Sequence, residues 1–111
     1  RDLLHVGDAV DGLLALAARP LAGCQPVNIG TEVAPTMREV VQLVLAATGA
    51  DPALAQFGAG KSRPGIADLL TDCTLAAESI GWHARTPLAD GIALTVAALT
   101  SSGADPRADA A

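Results

Sequence analysis

The 111-residue chain is sized for one small domain with a single core. Half of it is hydrophobic, yet Phe57 and Trp82 are the only aromatic residues, so alanine, leucine and valine must do the packing. A formal net charge of −5, with the seven Lys and Arg scattered, argues against binding nucleic acid, and no apolar run reaches the roughly 18 residues of a membrane span.

In chain order, "RDLLHV" reads as a short extended approach, with Asp8 as N-cap of a helix that carries Ala9, Val10, Leu13, Leu14 and Ala17 on its core face. Arg19-Pro20 ends it. Pro26-Val27-Asn28-Ile29-Gly30 is β-branched and closed by glycine, which predicts a short strand. Met37, Val40, Val41, Val44 and Leu45 then recur at helical spacing, with Thr36 as N-cap, Glu39 at the capping-box position and Gly49 as the stop. Residues 53–58 are assigned a second short strand. Thr74 is expected to cap a helix over 74–80 that Gly81-Trp82 ends, and Leu88, Ile92, Val96 and Leu99 predict a last helix from Leu88 to about Leu99. From Ser101 onward nothing apolar is larger than alanine, so residues 101–111 read as a disordered tail. The inventory is α/β but mostly helical, with about two short strands, too few for a complete doubly wound sheet.

Several chemistries can be set aside. In "FGAGKSRPG", residues 57–65, Gly60-Lys61-Ser62 looks like the end of a phosphate-binding loop, but Ala55 stands at the first glycine position and Pro64 prevents a helix from starting behind Ser62. The dinucleotide pattern G-x-G-x-x-G is broken as well, because Arg63 stands where the third glycine belongs. No serine has a nucleophile-elbow setting. His5, in a mixed apolar stretch, reads as a structural histidine rather than a catalytic base, and His83 as exposed. Cys24 and Cys73 have no histidine at ligand spacing, so no metal site is expected, and two small buried thiols are favoured over a disulfide.

Read in order, the motifs resemble the C-terminal part of an extended short-chain dehydrogenase/reductase, the family of NAD-dependent nucleotide-sugar epimerases and dehydratases. "RDLLHVGD" at Arg1 to Asp8 is similar to that family's Arg-Asp-aromatic-x-His-Val-x-Asp, with Leu3 in place of the aromatic. "VNIG" at Val27 to Gly30, the helix "TMREVVQLVLAATG", Arg63-Pro64-Gly65, Asp72-Cys73-Thr74, Ile80-Gly81-Trp82 and "TPLADGI" at Thr86 to Ile92 follow in the family's sequence. The resemblance implies a substrate-binding lobe over residues 1–100 that lacks the Rossmann domain, and a chain starting at Arg1 without methionine fits a fragment. It implies that NAD or NADP binds to that missing domain, which would also hold the catalytic Tyr-x-x-x-Lys pair, since this chain has no tyrosine. It further implies a nucleotide-sugar substrate, a cytoplasmic location and a homodimer in the full enzyme, and no activity for these residues alone.

By the same resemblance Arg1 and Arg63 reach the substrate diphosphate. An arginine on a proline-glycine turn suits that role, because its guanidinium presents a fork to phosphate. Relatives carry an aspartate directly after the glycine, where it holds the ribose. Here that position is Ile66, and Asp68 is the candidate substitute. Lys61 is a possible further cation. A non-catalytic binding or interaction module descended from such an enzyme is the alternative reading.

Overall fold

The computed structural model describes residues 1–19, 22, 23, 25–58 and 69–103. Among these residues there are four helices: α1 (Val6–Ala18), α2 (Met37–Thr48), α3 (Thr74–Ile80) and α4 (Leu88–Ser101), with a 3₁₀ turn at Pro52–Leu54. Among the described residues there is no strand, so the expected α/β class with two short strands is corrected to a helical one.

The reason lies in what each segment pairs with. An extended stretch becomes a strand only when a second one satisfies its N–H and C=O groups. Pro26–Gly30 pairs with no second segment among the described residues, and its neighbours are single groups: the Asn28 amide donates to the Asp72 carbonyl at 3.3 Å, and the Gly30 carbonyl accepts from the Cys73 thiol at 3.6 Å. Its alternation survives as packing, with Val27 and Ile29 partly buried against the core. The second expected strand fails at its start. Asp51 Oδ1 accepts the Ala53 N–H at 2.9 Å, and this cap with Pro52 behind it turns the chain into a 3₁₀ turn.

His5, rather than Asp8, caps α1, its Nδ1 accepting the Gly7 N–H at 3.2 Å. Asp8 lies one turn inside and is 5% exposed. The buried side of α1 carries Asp8 and Gly12, with Ala15 and Leu16 half-buried, whereas Val10, Leu13 and Leu14 of the expected core face are exposed. Gly12 explains the choice of side. A Cβ there would stand 3.2 Å from the Trp82 ring and 3.4 Å from the Ile29 methyl, so the helix approaches the core along the stripe where it has least bulk.

α2 begins, caps and stops as expected, although Met37 and Val44 of its apolar stripe are exposed. Thr36 Oγ1 accepts the Glu39 N–H at 3.2 Å, the Glu39 carboxylate accepts the Thr36 N–H at 2.8 Å, and Gly49 ends the helix at φ 66°. α2 packs on α4. At α3 the N-cap is Cys73 rather than Thr74 and makes no side-chain cap bond; Asp72 just before it accepts the Thr74 N–H at 3.0 Å, and Gly81 stops the helix at φ 66°. α4 runs two residues past Leu99, to Ser101, while the remaining tail, 104–111, lies outside the described residues.

The core is small. Cys73, Ala76, Ile80 and Trp82 are buried, with Leu4, Leu16, Val27 and Ile29 packed on them. Trp82 ties it to α1, donating from Nε1 to the Asp8 carbonyl at 3.2 Å.

Candidate functional site

A cleft of about 390 Å³ opens between two loops. One wall is Thr31, Val33 and Pro35, the other is the stretch from Ala84 to Leu88, and Leu3 contributes from the N-terminal segment. A second hollow, formed with Glu39, Gln42 and Leu43 of α2, continues from it across Val33, Pro35 and Leu88. The lining is largely apolar, and Arg85 gives it a cation.

Each wall is held by one carboxylate from the N-terminal "RDLLHVGD". Asp8 holds the second wall: its Oδ2 accepts the N–H groups of Arg85 at 3.1 Å and Thr86 at 2.9 Å. Burial raises the Asp8 carboxyl, but the bonds from Thr86 and Arg85, helped by the His5 charge, bring it below the ordinary carboxylate value. Asp2 holds the first wall through Thr31, whose N–H it accepts at 2.8 Å, and through Glu32 at 3.2 Å. There too burial raises the carboxyl, and the bonds from Thr31, Thr71 and Glu32 outweigh it. The Cys73 thiol, close behind this wall, is pushed up by burial and by the negative charge of Glu32, which keeps it a protonated donor to the Gly30 carbonyl rather than a thiolate nucleophile.

The residues expected at a ligand fall into two groups. Arg1 is exposed, and its main-chain nitrogen, not its guanidinium, donates to the carbonyl of the wall residue Pro35 at 3.3 Å. Arg63, Asp68 and Lys61 lie outside the described residues, as does Cys24. His5 is a cap and His83 is exposed, both as expected. The sequence reading gave Asp2, Asp8 and Arg85 no role at a site. A signal for the last was present, since Arg85 is the only Lys or Arg between residues 64 and 106 and it stands next to the Thr86-Pro87 turn. The aspartates gave less, because their partners are backbone amides that no sequence spacing marks.

The cleft's apolar lining can take up a flat or hydrocarbon group, and the guanidinium of Arg85 can meet an anion. Among the described residues no three His, Cys, Asp or Glu side chains are grouped as a metal site, and no helix is long and apolar enough to cross a membrane.

No family model and no solved structure matches the chain. Over 99 residues, 86% of its length, it is 37% identical to a UDP-glucose 4-epimerase of Mycolicibacterium smegmatis, and it spans about 30% of the length of that relative. The chain is therefore related in sequence to part of an epimerase.

Proposed function

We propose that the chain is the substrate-binding portion of an NAD(P)-dependent nucleotide-sugar epimerase, dehydratase or reductase, inactive without the rest of that enzyme. The observation that carries this reading is the 37% identity to a UDP-glucose 4-epimerase, which extends over 86% of the chain. The cleft supports it, because an apolar trough with arginine at its edge has the chemistry of a nucleoside diphosphate: a flat base and an anionic linker.

In this proposal Arg1, Arg63 and Arg85 share the diphosphate, and Asp68 accepts from the ribose. Fixing the diphosphate places the sugar for reaction elsewhere in the protein, so these residues act through position rather than through bond making. When bound, a nicotinamide cofactor supplies removal and return of hydride. This chain offers no cradle for it, having neither the G-x-G-x-x-G loop nor a tyrosine, and no step of the hydride transfer is assigned to its residues. A cytoplasmic, homodimeric enzyme belongs to the same proposal.

The test is kinetic, on the full-length protein with UDP-glucose and NAD. Arg63→Ala and Arg85→Ala are each expected to lower kcat/KM about tenfold or more, the scale of a lost charge-assisted hydrogen bond. Unchanged values remove that arginine from the site. UDP binding without turnover would instead indicate the non-catalytic module.

A further inference from the structure

Asp2 joins three segments that are distant in sequence. Its Oδ1 accepts the Thr31 N–H at 2.8 Å and the Thr31 hydroxyl, and its Oδ2 accepts the Glu32 N–H at 3.2 Å and the Thr71 N–H at 3.3 Å. A carboxylate has about four acceptor positions, so these bonds use its capacity. The amide in the middle of the set belongs to a residue in an unusual state. Glu32 has φ 58°, the only positive φ at a non-glycine position among the described residues. Glutamate enters that region rarely, and a surrounding structure must hold it there.

The hold is built from both sides. The Glu32 side chain reaches back, its Oε1 accepting the Cys73 N–H at 3.2 Å, while its N–H points to Asp2. Gly30 just before leaves no space between the parts: a Cβ there would lie 2.6 Å from Asp2 Oδ2 and 2.6 Å from the Thr71 Cβ. Thr31 and Val33, on either side of Glu32, both line the cleft, as does Leu3 next to Asp2. The left-handed residue thus sets the direction in which the wall leaves Thr31 and arrives at Val33.

We propose that Asp2 is a positioning residue: by keeping Glu32 left-handed it fixes the Thr31–Val33 wall relative to Leu3, and so shapes the cleft for a nucleoside diphosphate. Only the last clause rests on the reading of the cleft given above. Asp2 has no free acceptor for a ligand, and its effect passes through the backbone.

The experiment uses the full-length protein, with amide hydrogen exchange followed by NMR and UDP as the binding probe. In the unmutated protein the amides of Thr31, Glu32 and Thr71 are expected to share protection within about tenfold, because release of one carboxylate frees all three. Protection spread over more than about a hundredfold overturns the proposal, and this reading needs no variant to fold. In Asp2→Asn one side of the carboxamide can no longer accept, so either Thr31 or the Glu32 and Thr71 pair should lose about tenfold in protection. UDP affinity should fall about tenfold in Asp2→Asn alone, but less than about threefold when the same change is made in an Glu32→Gly background, since glycine takes φ 58° unaided. Equal losses in both backgrounds would make Asp2 simple glue and overturn the positioning role. Failure of the unmutated protein to bind UDP would refute the reading of the cleft, while the exchange pattern would still decide for or against the latch.

Discussion

Residues that accept backbone N–H groups govern this molecule, and their neighbours are correspondingly intolerant. Gly30 is the sharpest case. Its φ is ordinary, so the demand for glycine is one of space: the Cβ of alanine would press on the Asp2 carboxylate and on Thr71. Gly30→Ala is expected to destabilise the protein by about 1–3 kcal/mol, the usual result of overfilling a packed site. Chemical denaturation of the variant measures this, and an unchanged midpoint would show that Thr71 yields freely. Glycine closing a β-branched run had suggested a turn after a strand, so the sequence marked the position while hiding the cause. The cause is a carboxylate 28 residues earlier, which only the folded chain brings close.

At the scale of elements, legibility followed how local the determining interaction is. α2 was readable to its ends, because a capping box and a C-terminal glycine act within four residues of what they cap. Thr36→Ala should cost about 1 kcal/mol, read as a lowered melting temperature, since the Glu39 N–H loses its acceptor and only the reciprocal bond from the Thr36 N–H to the Glu39 carboxylate remains. The N-caps expected at Asp8 and Thr74 fall at His5 and Cys73, since His5 bonds the Gly7 N–H two positions ahead and Asp72 bonds the Thr74 N–H from just outside the helix. The buried side of α1 was not legible at all. Periodicity marks the bulkiest apolar stripe, Val10, Leu13 and Leu14, but Trp82 meets α1 at Gly12, where a flat ring fits and a leucine does not. The first strand was lost for a non-local reason too, because pairing partners are a property of the assembled sheet and not of the segment, whereas the second gave way to the local cap of Asp51 on Ala53. For the cleft, Asp2 and Asp8 were hidden by having main-chain partners.

Over the whole molecule, two carboxylates with lowered folded-state values make stability depend on acid. Asp2 and Asp8 both titrate below the ordinary 3.8 when folded. Their contribution is complete above that value and disappears as pH falls through the lower folded values, so acid should unfold the chain below about pH 4. In Asp8→Asn the protein is expected to be less stable at pH 7 and to lose less on acidification. The loss should be unchanged if Asp8 is not what acid attacks. Trp82 makes this measurable without a label. It is the single tryptophan of a chain that has no tyrosine, it is 5% exposed, and its indole N–H bonds the carbonyl of Asp8 itself. Nearly all ultraviolet emission excited above 290 nm therefore comes from the junction of α1 with the core. A red shift reports entry of water at that junction, and any difference between this signal and overall helix content shows which part of the chain lets go first.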